Sequence, residues 1–308
     1  MDFIYLLIQL VSAIIVAPLF DGISRKLRAK FQSRIGPSIF QTYYDIFKLL
    51  KRGRTKSSST SYVYQIAPYL LFISAAAMFC ALPITYGANS SALTHFSDIF
   101  VLLYLGALFR FIFIVAGIDT ANPYAGISAS REGTIGFYTE EVAVICLIVV
   151  MMGTGSTSLP FISSLVQTGE YGYAIPSFAI ASTAFLWVMY VETGRKPYDL
   201  AEAEQELQEG VLGEFCGKDF AIIDIAILLK QITVLGFFLV VFMPWAGLVD
   251  NPIVSLVLFL VEVGFLYVMG VFIDNFGPRF TINKGMKRTM LFALAISCTS
   301  LVLYIMGI

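Results

Sequence analysis

The sequence predicts an all-α, polytopic membrane protein of about eight transmembrane helices, with short amphipathic helices in the cytoplasmic loops. Three observations carry this. Of the 308 residues, 58% are hydrophobic and only 13% are charged, about half the charge of a typical soluble domain. Eight apolar runs are each long enough, at about 20 residues, to cross roughly 30 Å of hydrocarbon. The Lys and Arg that lie outside the spans are confined to alternate loops.

The spans fall at approximately 3–20, 63–86, 98–117, 136–156, 174–192, 222–246, 253–273 and 288–307. The first lacks a basic leader and runs too long for a cleavable signal. Ten of the 20 Lys and Arg lie between the first two spans, from Arg25 to Lys56. The loops near 87–97, 157–173 and 247–252 contain none. Positive residues mark the cytoplasmic side, so both termini are expected outside, as eight spans require.

Residues 1–308 therefore read as a single membrane domain, with a basic cytoplasmic loop at 21–56 and an acidic one at 193–219. In the basic loop, residues 22–33 alternate basic and apolar groups at helical spacing, which suits a helix lying along the inner surface. Gly36-Pro37 breaks the pattern, and residues 40–51 read as a second short amphipathic helix. Binding of anionic membrane lipid is one expected role.

Seven of the 21 acidic residues fall between Glu192 and Phe215: Glu192, Asp199, Glu202, Glu204, Glu206, Glu209 and Glu214. Pro197, Asp199 and Glu202 look like a helix start with a capping pair, and Gly210 like a stop. On such a helix Asp199, Glu202, Glu206 and Glu209 share an arc of roughly 80°. The carboxylates are either a solvated loop helix or a docking or proton-handling surface.

Several ionisable residues lie inside spans, where a charge costs at least about 2.5–3.5 kcal/mol. They are Arg110, Glu140, Glu141, Glu192, Asp224, Lys230 and Glu262, with Asp274 at the end of the seventh span. All but Glu262 fall in the cytoplasmic half, and Glu262 sits near the midplane. Structural ion pairs would explain Arg110 and Lys230, and a protonated buried acid would explain Glu262. A proton path from the cytoplasm through these groups is the functional reading, since desolvation moves Glu and Lys toward neutral titration while Arg stays charged.

Several classes are excluded. The four cysteines are scattered without a C-x-x-C, and the single histidine is His95, so no zinc, haem or iron–sulfur site is expected in this chain. No catalytic nucleophile–base pair, Gly-rich phosphate loop or basic aromatic patch for nucleic acid is present. No internal repeat suggests an inverted-repeat transporter.

Three motifs carry a resemblance. R-I-G-P at 34–37 followed by Gln41, Asp45 and Lys48, A-S-R-E at 129–132, and K-P-Y-D-L-A-E-A-E at 196–204 resemble the H-type membrane subunits of respiratory complex I. The wording A-E-A-E-Q-E-L-Q-E-G, with L-L-K-Q at 228–231 and M-P-W at 243–245, is closer to the corresponding subunit of energy-converting nickel–iron hydrogenases of the Ech and formate hydrogenlyase type. That resemblance covers essentially the whole chain. It implies a non-redox subunit of an oxidoreductase complex, one that anchors a hydrogenase and couples it to proton or sodium translocation. The nickel–iron site and iron–sulfur clusters are then expected in partners: hydrogenase large and small subunits, an iron–sulfur subunit and an antiporter-like membrane subunit. Arg34, Arg131, Glu132, Glu140, Glu192, Asp199, Glu202, Glu204, Glu206, Glu209 and Lys230 sit at matching motif positions; Glu214 joins the docking loop by position, and Glu262 matches no shared acid. The alternative is the quinone-site subunit of a complex I-type dehydrogenase.

Overall fold

A computed structural model describes residues 2–55, 60–85, 96–201, 204–249, 251–281 and 286–307. Among them the chain is helical, with a single isolated bridge, Asp98 to Ser158, in place of any strand. The helices are α1 (Asp2–Phe31), α2 (Gln41–Leu50), α3 (Tyr62–Cys80), α4 (Ile99–Asp119), α5 (Pro123–Thr154), α6 (Leu159–Thr168), α7 (Pro176–Glu192), α8 (Glu204–Leu207), α9 (Gly217–Phe242), α10 (Pro252–Phe276) and α11 (Lys287–Ile305).

Seven of these are long and apolar enough to cross a membrane: α1, α3, α4, α5, α9, α10 and α11. The fifth expected span is α7, whose 17 residues rise about 25 Å. Polar caps set the helix starts. Ser61, Asp98, Asn122 and Asn251 each accept a backbone N–H in the first turn of α3, α4, α5 and α10, satisfying donors a helix start leaves open.

α9 is the axis, packed against α1, α2, α3, α6, α7 and α10 and buried along most of its length. A second group packs α5, α7 and α11 together. The core between them is a run of aromatic contacts, Phe178, Phe185, Phe237 and Phe242.

Three expectations change. Residues 22–31 do not lie along a surface; they continue α1 without a break. Arg28 reaches Asp274 of α10 at 2.7 Å, which holds this extension upright. The fourth span begins thirteen residues earlier than its apolar run, because Asn122 and Pro123 start α5 and the polar turns through Arg131 pack under the acidic loop. The acidic stretch is not a continuous helix from Asp199 to Gly210; among its described residues only Glu204–Leu207 is α-helical. A longer helix would need the carbonyls of Leu200 and Ala201 as acceptors. These instead take hydrogen bonds from Arg131 and from the Ser128 hydroxyl at 3.1 and 2.6 Å. Gln208 and Glu209, at φ 50° and 68°, leave helical geometry before Gly210.

A charged cluster under the acidic loop

The middles of α4 and α9, the end of α7 and the polar half of α5 converge beneath the acidic loop. There they bring four of the predicted charges into one cluster, buried but for Glu140, whose side chain is 46% exposed. Arg110 of α4 is its hub, 8% exposed. Its guanidinium donates to Glu140 of α5 and, at 2.6 Å, to Glu192 at the end of α7. Thr139 donates a further hydrogen bond to Glu192. Lys230 of α9 completes the set, its Nζ 3.3 Å from the other Glu192 oxygen and 5.2 Å from the centre of the Phe109 ring. Glu132, two turns before Glu140 on α5, stands 4.0 Å from the Arg110 Nε, a nitrogen that is buried without a hydrogen-bond partner among the described residues.

The packing that allows this is set by Gly136. A Cβ there would lie 2.3 Å from the Arg110 Nε, so any side chain would expel the guanidinium from the surface of α5. Sequence reading passed over Gly136 and Thr139. The available clue was their spacing, one turn and one residue before Glu140 on the same helix.

Cavities flank the cluster on both sides. One is roofed by the acidic loop at Tyr198–Ala201 and floored by Glu192, Lys230 and Gln231; Glu132 is in its wall. The other is lined mostly by apolar groups of α3, α4, α5, α7 and α9, and also touches Arg110, Glu140, Glu192 and Lys230. Two cations and two carboxylates thus separate a polar chamber from an apolar one.

The roof is tied down. Arg131 binds Glu206 at 2.7 Å, and Arg279 binds Asp199 at 2.6 Å. Phe280 N–H donates to the Pro197 carbonyl. Further along, Asn122 donates to Glu214, the Tyr64 hydroxyl to the Glu214 carbonyl, and Tyr64 stacks on Phe215 at 4.3 Å. Arg54, in the basic loop, binds the buried Asp219 at 2.6 Å, and this bond raises the guanidinium pKa above its ordinary value. Behind the roof, Tyr267 donates to Gln231, which donates to the Thr193 carbonyl, while Arg195 lies 4.1 Å over the Tyr267 ring.

The docking set therefore divides. Asp199, Glu206 and Glu214 are engaged within the chain, whereas Glu209 and Arg34 are exposed. Arg34 belongs to an exposed stretch, 31–38, in which Ile35 is 96% exposed. Glu202 lies outside the described residues, as does the side chain of Glu204.

Three predicted path members stand elsewhere. Glu141 is exposed on α5. Asp224 has Asp21, Arg25 and Asp45 as its charged neighbours, on the side of α9 that packs against α1 and α2. Six residues separate it from Lys230, a turn of about 600°, which sets the two on different faces. Glu262 lines a separate cavity at the opposite end of the molecule.

This geometry can be set beside known proteins. The chain matches the NADH dehydrogenase family model over residues 3–305. It is 36% identical to hydrogenase-4 component C of Escherichia coli K12 over 88% of this chain and 86% of that one. It is 38% identical to formate hydrogenlyase subunit 4 of the same organism, over 89% and 88%. NADH-ubiquinone oxidoreductase chain 1 of Arabidopsis thaliana is 26% identical over 88% of both chains. In structure the chain superposes with a TM-score of 0.84, at 25% identity and over 98% of both chains, on a chain of the membrane-bound sulfane sulfur reductase, an archaeal respiratory membrane complex. The chain is thus a multi-pass membrane protein that belongs to the NADH dehydrogenase family of H-type membrane subunits.

Proposed function

We propose that this chain is the membrane anchor of an energy-converting nickel–iron hydrogenase. It seats the peripheral hydrogenase arm and couples electron transfer there to proton or sodium translocation. The similarity to hydrogenase-4 component C and formate hydrogenlyase subunit 4, at 36% and 38% identity over most of each chain, supports the hydrogenase assignment. The nickel–iron site and the clusters belong to large, small and iron–sulfur partner subunits, and an antiporter-like subunit is the expected neighbour in the membrane. Positive residues on the acidic-loop side make that side cytoplasmic.

The observation that carries the coupling role is the cluster of Arg110, Glu140, Glu192 and Lys230 beneath a pinned loop. Among the described residues, the loop both meets the aqueous face and roofs the chamber floored by the buried charges. A shift of the loop when the partner's nearest cluster is reduced changes the field on Glu192 and Lys230. It would act as a local electrostatic switch. Arg110 stays charged and fixes the balance of charge around Glu192.

The test measures hydrogen evolution and ion uptake together in liposomes holding the whole complex. Glu140→Gln keeps size and hydrogen bonding but cannot titrate; Lys230→Met removes the amine. Both are expected to evolve hydrogen from an artificial reductant at near the parent rate, with ions moved per hydrogen reduced at least about tenfold. Unchanged pumping in both removes them from the path.

The apolar cavity beside the cluster favours one second reading, a quinone-site subunit of an NADH dehydrogenase-type complex. Nickel in the purified assembly supports the first reading. Flavin with bound quinone supports the second.

A further inference from the structure

Glu262 belongs to no part of the charged cluster, and its surroundings give it a role of its own. It lies ten residues into α10, about 15 Å from that helix's start, on the face shared by Ser255 and Phe259. Its Oε2 is shielded from solvent and has no hydrogen-bond partner among the described residues, and no ion pair among them reaches it. The carboxyl lines a small cavity whose other walls include Pro83 and Ile84 beyond α3, Ser163 and Gln167 of α6, and Pro244, Ala246 and Gly247 beyond α9. All of these belong to the face opposite the acidic loop. Among the described residues no other charged side chain lines the cavity; its polar members are Ser163, Gln167 and Ser255. Ser255 and Gln167 are already committed as donors, to the carbonyls of Ile84 and Pro244.

Buried side chains of α9 lie between this cavity and the cluster. Lys230 and Val240, on the two sides, are ten residues apart on α9, about 15 Å. Between them Val234, Leu235, Gly236, Phe237, Phe238 and Leu239 are all buried. Phe259, adjacent to Glu262 on its helix face, is seated against Gly236, where a Cβ would meet its ring at 2.5 Å. An unpaired carboxylate in such a cavity is costly, and the cavity offers only neutral groups to a cation.

We infer that Glu262 is a proton-binding site that exchanges with the aqueous phase on the face opposite the acidic loop, the far-side counterpart of the Glu192–Lys230 pair across the aromatic layer. Its part in translocation rests on the coupling function proposed above; its access from the far face does not.

The first test needs no variant. Dicyclohexylcarbodiimide reacts with protonated carboxyls in apolar surroundings: the acid O–H adds across a C=N bond, and the acyl group then migrates to nitrogen with nothing lost. The intact complex in liposomes is treated with the pH set independently on the two sides, and peptides are read by mass spectrometry. The expected result is an adduct on Glu262 that forms several-fold faster when the far side is acidified and is indifferent to pH at the acidic-loop side. No adduct, or a rate that follows the acidic-loop side, overturns the inference. Slowing by sodium at constant pH overturns its assignment to protons.

The second test is the ratio of ions moved to hydrogen evolved in Glu262→Gln, with Glu262→Asp as the conservative variant. The ratio is expected to fall at least about fivefold in the first and to recover in part in the second. Normal pumping in Glu262→Gln, with pumping lost in Lys230→Met, sinks the far-side role while the coupling reading stands. Normal pumping in all of these variants, with far-side labelling intact, sinks the coupling reading and keeps the proton site.

Discussion

Arg110 shows what a single buried residue does here. One guanidinium holds Glu140 and Glu192 from two different helices, and Lys230 on a third neutralises the remaining Glu192 oxygen. Breaking a buried set by removing one member leaves uncompensated charge, at about 3–5 kcal/mol. Arg110→Met is therefore expected to lower the thermal stability of the detergent-solubilised complex by that order, read as an earlier melting of this subunit. Arg110→Lys is expected to recover little of it, since a point charge cannot serve two carboxylates in a fixed fork. Gly136→Ala is expected to act in the same direction, because the new methyl occupies the guanidinium's place. The charges were legible in the sequence because ionisable groups stand out in apolar runs. Their pairing was not. Arg110 and Glu192 are 82 positions apart, and spacing along one helix says nothing about which face meets another. Asp224 illustrates the error in reverse: close to Lys230 in sequence, it turns to a different side of α9.

At the scale of elements, the span positions were legible because hydrocarbon thickness imposes their length, while their ends were set by caps and tertiary contacts. The acidic loop was the largest misreading. Its turn-and-cap pattern predicts a helix, but Ser128 and Arg131 of α5 take the carbonyls that helix needs. The consequence is testable. Glu206 serves the loop's own anchorage through Arg131, so Glu206→Arg is expected to loosen the loop and release the hydrogenase arm. The exchange Glu206→Arg with Arg131→Glu is expected to restore a substantial part of the assembly. Glu209 is exposed and has no ion pair among the described residues, so Glu209→Lys is expected to weaken docking with no rescue from within this chain. Co-purification of the hydrogenase subunits at graded salt separates the two. An intact complex in every single variant at moderate salt would remove the loop from the docking surface.

Across the whole molecule, the arrangement is asymmetric: among the described residues the Arg110 cluster gathers beneath the acidic loop, and Glu262 stands apart from it across the buried aromatic residues of α9. One charge breaks this pattern laterally. Glu141 is exposed on α5, thirteen residues or about 20 Å from the end of that helix at Thr154, which is inside the hydrocarbon zone. Phe137 and Val144, one turn to either side, are 61% and 39% exposed, so the three form one outward stripe. A carboxylate facing lipid at that depth costs about 2–3 kcal/mol or more, and no ion pair among the described residues offsets it. Cover by a second membrane subunit with polar groups of its own removes the penalty. That face lies about 100° around α5 from Glu140, whose side chain is itself 46% exposed, so the same subunit would extend the path sideways out of the cluster. A photo-crosslinking phenylalanine analogue in place of Phe137 is expected to join this chain to a membrane subunit in the intact complex. The Glu141→Leu variant is expected to lower that yield several-fold while leaving the chain's own insertion unchanged. Products with lipid alone, and full assembly of Glu141→Leu, would make this stripe a lipid-facing surface and force the path to run through the chain itself.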